Sequence, residues 1–276
     1  APLPCPISSP PAVTVLREFR VLDRRIWYLA GARLVVTAGF SMVMPFLAIH
    51  LAIERKVPAV VVGLIWTVAG ICGAAMQWVA GELADRVGRR KVMLAATIIR
   101  AVNLAAMGYA TSIEASAFVI GVLCVANSML RAFFDPVANA RVADLCPPEQ
   151  RIAAFSLQRV GVNTGWALGP AVVGLASDVA YSTLFYWSVP VTLLATFIVA
   201  RVHESPSSHS AAPLRWNDLV SFRGDKVFVR FMFATVAFFI LQAQLFQALS
   251  IYAARELHLD RAEVGMMYTL NGLLVV

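Results

Sequence analysis

Eight apolar runs, separated by mostly short polar connections, constrain this chain more than any other feature of its sequence. They fall at about residues 27–51, 60–80, 92–110, 115–142, 152–177, 181–200, 227–252 and 262–276. A helix needs roughly 20 apolar residues to cross the hydrocarbon core of a bilayer, so the first seven runs are long enough and the eighth is short. Irregular backbone cannot face lipid, and the runs are therefore predicted to be helices.

Composition indicates a membrane protein rather than a soluble one. Of the 276 residues, 59% are hydrophobic and 14% are charged, whereas a soluble domain carries about 25% charged residues. The mean hydropathy is +0.73. The net charge of +7 comes from short basic clusters between the apolar runs. Such clusters are typical of cytoplasmic loops, so nucleic acid is not predicted as a partner.

No pattern in the sequence indicates an enzyme, a metal site or a cofactor. The four cysteines have neither a disulfide framework nor a zinc-binding spacing. The four histidines form no metal-ligand pair, and the chain has neither a phosphate-binding glycine loop nor a nucleophile elbow. We therefore predict no catalytic residues, no metal and no cofactor.

The connection at residues 201–226 is longer and more polar than the others, and it divides the chain. Its serine and proline content is typical of a linker. We predict a cytoplasmic tail at 1–25, a six-helix unit at 26–200, the cytoplasmic linker at 201–226 and two helices of a second unit at 227–276. That second unit is expected to be truncated after its second helix.

The distribution of basic residues predicts the orientation of the helices. Fifteen arginines and lysines lie in the tail, the linker and the connections on their side, and four lie on the opposite side. Basic residues concentrate on the cytoplasmic side of membrane proteins. The sequence thus predicts a multi-pass protein of the plasma (inner) membrane with a cytoplasmic N-terminus.

The two predicted units share an internal repeat with an offset of 202 residues. Without any gap, this offset aligns Glu54 with Glu256, Gly63 with Gly265 and Gly70 with Gly272. Glycines and an acid in register are less expected by chance than matching apolar residues. The offset equals one unit plus the linker, as parallel repeats about the membrane normal would require.

The strongest local motif lies between the second and third runs, at residues 81–91 (GELADRVGRRK). A basic cluster alone would orient the chain, but it would not require glycines and an acid at this spacing. Glycine permits a tight turn and close helix approach, and Asp85 can pair with neighbouring cations or lie at a helix N-terminus. The candidate gate residues are Gly81, Asp85, Arg86, Gly88, Arg89, Arg90 and Lys91.

This segment resembles motif A of the major facilitator superfamily, which forms part of a cytoplasmic gate between two six-helix halves. The resemblance covers nearly the whole chain after the tail. The segments at 133–136 (FFDP) and 147–151 (PPEQR) further resemble the drug–proton antiporter branch. The resemblance implies an all-α membrane bundle with about seven full transmembrane helices and part of an eighth. It also implies alternating access around a cavity lined by the first, fourth and seventh helices.

The fourth run carries polar residues at helical spacing. Asn127, Ser128, Arg131 and Asp135 are predicted to share one face. Such a face is unfavourable in lipid, so it should point at a cavity or at partner helices. Two interpretations stay open, namely a functional cavity and an Arg131–Asp135 pair that only neutralises itself.

The first and seventh runs offer further candidates for a substrate or proton pathway. Arg33, Thr37 and Ser41 are one turn apart and precede Pro45, which suits a kinked helix that lines a cavity. Arg33 is also close enough to the cytoplasmic end to extend its side chain to water. In the seventh run, Gln242 is the candidate that could reach the cavity.

The fifth run carries a glycine stripe that predicts close helix packing. Its residues are Gly161, Gly165, Gly169, Pro170 and Gly174. Small residues at a spacing of four let two helix backbones approach closely. The segment resembles motif C, the antiporter signature of the same family, with Val173 where a glycine is expected.

These patterns predict a secondary active transporter that exports small hydrophobic compounds or drugs. Its partners would be membrane lipid, the small-molecule substrate and a proton as the coupling ion. Asp135 is the predicted coupling residue, because arginine cannot lose its proton and no other acid lies well inside a helix with a polar face. Two alternatives stay open. One is transport of anionic metabolites, since arginines outnumber acids four to one within the runs, and the other is a truncated protein that does not transport.

Overall fold

The computed structural model describes residues 18–176, 178–202 and 225–275. Their helices are α1 (Arg24–Ser41), α2 (Met44–Ile49), α3 (Ala59–Val87), α4 (Arg89–Ser112), α5 (Ala117–Ala132), α6 (Asp135–Leu145), α7 (Arg151–Leu175), α8 (Tyr181–Ala200), α9 (Lys226–Arg255) and α10 (Arg261–Leu274). A π-helical turn, His50–Glu54, extends α2. These described residues contain no strand, so the prediction of an all-α bundle is confirmed.

In the described residues the helices make eight successive crossings of the bundle, and α1 with α2, and α5 with α6, each make one crossing. Five crossings are both long and apolar enough to span a membrane: Arg24–Glu54, Ala59–Val87, Arg89–Ser112, Ala117–Leu145 and Tyr181–Ala200. Helices α7 and α9 have 25 and 30 residues, and α10 has 14. The eighth crossing is therefore short, as its apolar run predicts.

The two ends of the bundle differ in charge. We call the end formed by Arg24, residues 86–91, the α6–α7 connection and Arg201 the basic end, and the other the opposite end. The predicted tail and linker lie mostly outside the described residues. A capping interaction begins α1 at the basic end, where the Asp23 carboxylate accepts a hydrogen bond from the Arg25 backbone N–H at 2.8 Å. Hydrogen bonds from the Arg25 side chain hold the pKa of Asp23 below its ordinary value.

Helix α1 lies at the centre of the first unit, packed between α7 and α8. Helix α4 packs along α8, and α3 packs along α5, which places α3 at the periphery. Large apolar side chains such as Leu64 and Ile71 project from α3 and are exposed. A soluble protein would bury such a surface, whereas a membrane protein presents it to lipid.

The internal repeat predicted from the sequence is visible in the backbone. Lys56 and His258 are 202 positions apart, and both adopt a left-handed conformation, with φ of 52° and 53°. Non-glycine residues rarely adopt this conformation. The helices that follow begin at Ala59 and Arg261, which are again 202 positions apart.

Candidate functional site

A cluster of charged side chains joins α1 to α5 and α6 inside the bundle. The Arg33 guanidinium donates a hydrogen bond to Asn139 Oδ1 at 2.7 Å, and it lies 3.6 Å from the Asp135 carboxylate. The same carboxylate accepts a hydrogen bond from Arg131 Nε at 3.0 Å. Asp135 thus pairs with both cations, and it connects residues that are about 100 positions apart in sequence.

A third arginine, Arg100 on α4, extends this cluster. Its Nε donates to Asn127 Oδ1 at 3.1 Å, and Asn127 is itself 2% exposed. The ring of Phe40 lies beneath two guanidinium groups, with its centroid 4.5 Å from Arg131 Cζ and 5.8 Å from Arg100 Cζ. Such cation–π contacts are stronger when water is excluded. We call Arg33, Arg100, Arg131 and Asp135 the arginine cluster.

Two of the predicted pathway residues pack between helices instead. Ser41 is fully buried and donates to the Gly165 carbonyl at 3.0 Å. Ser128 also packs between helices. It lies so close to Gly73 of α3 that a Cβ on Gly73 would lie 3.3 Å from the Ser128 carbonyl oxygen. Ser128 thus faces a partner helix, one of the two environments expected for this face, and its part in a substrate or proton pathway stays a prediction.

Two further candidates take different positions. Thr37 is 8% exposed, next to the point where α7 crosses α1. Gln242 belongs to α9, at a position whose side chain lies outside the described residues.

The residues of the motif at 81–91 meet at the basic end, where α3 ends and α4 begins. Arg89 lies 3.3 Å from the Asp85 carboxylate and also pairs with Asp144 at the end of α6. Arg86 pairs one turn back with Glu82 on its own helix. Arg90 donates to the Ala200 carbonyl at the end of α8. Lys91 is exposed. Arg89 and Arg90 thus connect α4 to α3, α6 and α8, whereas Arg86 pairs only within α3 among the described residues.

The two glycines of this motif have different roles. Gly88 separates α3 from α4 with φ 110° and ψ 131°, a conformation that other residues rarely adopt. A Cβ on Gly81 would meet nothing within 4 Å among the described residues. The turn at Gly88 therefore needs glycine, while the predicted close helix approach is absent at Gly81 in this part of the chain.

Gly88→Ala is expected to destabilise the protein by about 1–3 kcal/mol, because alanine in this conformation is strained. Thermal unfolding of the purified protein in detergent measures the effect. Gly81→Ala is the matched control within the same motif, and it should leave the unfolding midpoint unchanged or raise it, since alanine favours helix. Equal midpoints for both variants would contradict the strain argument.

The glycine stripe of α7 faces two different helices. A Cβ on Gly161 would lie 2.7 Å from the Ala30 carbonyl oxygen, and one on Gly169 would lie 2.6 Å from that of Ala38, both on α1. Near Pro170 the partner changes to α10. There a Cβ on Gly174 would lie 3.3 Å from the Ala262 carbonyl oxygen. The stripe thus connects the first unit to the second.

A second charged cluster, at the opposite end, was not predicted from the sequence. His50 Nδ1 lies 2.8 Å from a Glu54 carboxylate oxygen, and the other oxygen lies 3.7 Å from Arg261 of α10. Arg261 also lies over the Tyr181 ring, 3.8 Å from its centroid, and donates to the Val179 carbonyl. No sequence pattern identified this cluster. Its π-helical turn at His50–Glu54 is visible only in the structure, and such turns often mark functional sites.

The described residues offer no group of three His, Cys, Asp or Glu side chains that could hold a metal ion. Their polar clusters consist of cations paired with carboxylates and amides, which can bind ions or organic molecules through charge and hydrogen bonds. Both clusters lie where helices of the bundle meet.

Comparisons with known proteins agree with this architecture. A family model described as Major Facilitator Superfamily matches residues 29–276. An uncharacterized MFS-type transporter of Mycobacterium tuberculosis is 26% identical over 264 residues, covering 94% of this chain and 61% of that protein. The multidrug resistance protein MdtH of Aeromonas salmonicida is 26% identical over 249 residues, covering 89% and 60%. The quinolone resistance protein NorA of Staphylococcus aureus is 20% identical over 256 residues, covering 91% and 64%.

Among solved structures, the crystal structure of a D-xylose–proton symporter matches with a TM-score of 0.59 at 13% identity. The match covers 95% of this chain and 65% of that one, and it bears on the fold alone. This chain spans about three fifths of the length of the curated relatives that it matches.

Proposed function

Because the chain belongs to the major facilitator superfamily, we propose that it takes part in secondary transport by alternating access and exports small hydrophobic compounds in exchange for protons. Members of this family are membrane transporters, so the prediction that the chain is not an enzyme is confirmed. The printed names of MdtH and NorA refer to multidrug and quinolone resistance. That similarity supports hydrophobic drugs as the substrate class here.

The observation that carries the proposal is an asymmetry between the two ends of the bundle. At the opposite end, the second unit contacts the first through Arg261, which reaches Glu54 and the Val179 carbonyl. Helix α9 packs on the first unit at α2, near that same end, whereas its residues Val227, Phe231 and Phe233 toward the basic end are exposed. An arrangement held at one end and open at the other is what alternating access requires of one of its states.

The orientation of the chain in the membrane determines the side toward which this state would open. The excess of basic residues at the basic end supports placing that end in the cytoplasm, with the chain in the plasma (inner) membrane. On this proposal, the arrangement is a state that opens toward the cytoplasm. The contacts of Arg89 with Asp85 and Asp144 connect three helices at this end, which supports the role of residues 81–91 as the cytoplasmic gate.

Asp135 is the proposed proton-coupling residue. Its carboxylate pairs with Arg33 of α1 and with Arg131 of α5. Protonation would remove the negative charge that holds both guanidinium groups, and α1 would then be free to move relative to α6. A proton could in this way change the conformation of the helix that lines the proposed cavity.

Asp135→Asn should abolish proton-driven transport while exchange of substrate between the two sides continues. The asparagine keeps the shape of the side chain but cannot change charge. A fluorescent quinolone in membrane vesicles, followed with and without an imposed pH gradient, separates the two activities. Glu256→Gln, which removes an exposed carboxylate at the opposite end, serves as the control.

Retained proton-driven accumulation by Asp135→Asn would place the coupling group elsewhere. A wild-type protein that inserts normally but shows no saturable flux of any probe would favour the alternative of a membrane protein that does not transport.

A further inference from the structure

The arginine cluster carries more positive charge than its own acid can balance. Among the described residues, Arg33 and Arg131 share the single carboxylate of Asp135. The terminal nitrogens of Arg100 have no hydrogen-bond partner in the same part of the chain, and neither does Arg33 Nε. The cluster thus contains three guanidinium groups and one carboxylate.

Arg100 is the member whose charge is least compensated. It is 2% exposed, and its only hydrogen bond within the described ranges is to the neutral amide of Asn127. A guanidinium stays charged in proteins, and a buried charge is costly unless a counter-charge and hydrogen bonds compensate it. The two unused terminal nitrogens have the spacing that binds both oxygens of one carboxylate.

Aromatic rings continue from these arginines toward the second unit. Phe40 lies under Arg131 and Arg100, and Trp166 meets Phe40 edge to face with ring centroids 6.0 Å apart. Trp166 in turn lies 6.3 Å from Tyr268 of α10. A ligand with a charged group and a flat apolar body would find both of its complements side by side here.

We propose that Arg100, together with Arg33 and Arg131, binds the carboxylate of aromatic organic acids whose ring system packs against Phe40 and Trp166. This assignment rests on the proposed transport function, and it narrows the substrate class to hydrophobic compounds that carry an oxyanion. The ligand would supply the counter-charge that Arg100 lacks, while Asp135 stays with Arg33 and Arg131.

Binding to the purified protein in detergent tests the proposal without requiring transport. The probes are 1-naphthoate, its neutral analogue 1-naphthamide, and laurate, which carries a carboxylate on an aliphatic chain. Naphthoate should bind most tightly, because the amide lacks the charge and laurate lacks the ring. Equal affinity for naphthoate and naphthamide would overturn the assignment of the arginines, and equal affinity for naphthoate and laurate would overturn that of the aromatic rings.

Arg100→Gln should weaken naphthoate binding by about thirtyfold or more, as expected when one partner of a buried charge pair is removed. Its affinity for naphthamide should stay within about twofold of the wild-type value. A change of that size is smaller than the usual free-energy contribution of one hydrogen bond. Arg230→Gln, at an exposed position on α9, is the matched control and should bind as wild type does. Unchanged naphthoate binding by Arg100→Gln would overturn the proposal.

Asn127→Asp keeps the test decisive if Arg100→Gln fails to fold. The new carboxylate would lie beside Arg100 Nε and supply the counter-charge from within the protein. It should raise the thermal unfolding midpoint and abolish naphthoate binding. A stabilised variant that still binds naphthoate would contradict the proposal. Proton-driven quinolone transport without any naphthoate binding would refute this site and leave the proposed function intact.

Discussion

Gly165→Ala is expected to destabilise the bundle, although alanine forms helices better than glycine. Gly165 lies where α7 crosses α1, and an added Cβ would fall 2.6 Å from the Leu34 carbonyl oxygen and 2.8 Å from Thr37 Cβ. Neither atom is the movable end of a flexible side chain, so the two helices would have to separate. We expect a loss of about 1–3 kcal/mol, the usual cost of overpacking, measured as a lower thermal unfolding midpoint in detergent.

Gly31→Ala provides the matched comparison. Gly31 lies inside α1, one of the two helices that meet at Gly165, but a Cβ there would meet nothing within 4 Å. Only the helix propensity then changes, and it should stabilise the protein by up to about 1 kcal/mol. The same substitution is thus expected to have opposite signs at the two positions. A similar drop in the midpoint for both variants would show that packing on α1 is not the cause.

The glycine stripe shows what a local pattern can and cannot predict. A spacing of four places small residues on one side of a helix, so the sequence alone predicts a close helix contact. It does not identify the partner helix, because that depends on the arrangement of the whole bundle. The structure assigns α1 to the first three glycines and α10 to Gly174.

The arginine cluster marks the limit of reasoning from periodicity. Arg33 and Asp135 each belong to a polar stripe and were found as candidates. Their contact was not predictable, since they are about 100 residues apart. Arg100 was missed as a site residue, although Thr97 and Asn103 lie one turn before and after it in α4. A lone charged residue inside an apolar run is itself a signal of function.

The internal repeat was predictable from residue identities, and its packing was not. Gly265 and Gly272 of α10 lie against α7, where added Cβ atoms would fall 2.7 Å from Pro170 and Ala167 backbone atoms. Their counterparts in α3, Gly63 and Gly70, meet nothing within 4 Å among the described residues. Equivalent positions in the two units therefore differ in their neighbours. The repeated sequence reproduces the local backbone geometry, whereas the contacts of each helix depend on the helices around it.

Arg89→Gln is expected to impair transport strongly while leaving the stability of the protein almost unchanged. Arg89 pairs with Asp85 at the end of α3 and with Asp144 at the end of α6. The carboxylates are partly exposed, and pairs of this kind contribute only about 0–1 kcal/mol to stability. A contact that must form and break during the transport cycle can nevertheless shift the balance between two conformations. Couplings of about 1–3 kcal/mol shift such an equilibrium 5- to 150-fold, and we expect a loss of transport on that scale.

Arg86→Gln separates the proposed gate contact of Arg89 from the loss of one positive charge. Arg86 belongs to the same motif, but its partner Glu82 lies one turn away on the same helix, and its side chain is 69% exposed. The variant has the same net charge as Arg89→Gln and should lose far less transport. Exchanging the partners, as Arg89→Asp with Asp144→Arg, should recover part of the activity that either change removes alone. Equal losses for Arg86→Gln and Arg89→Gln would mean that the motif acts through its charge at the membrane surface, because a gate contact requires the particular pairing of Arg89 across helices.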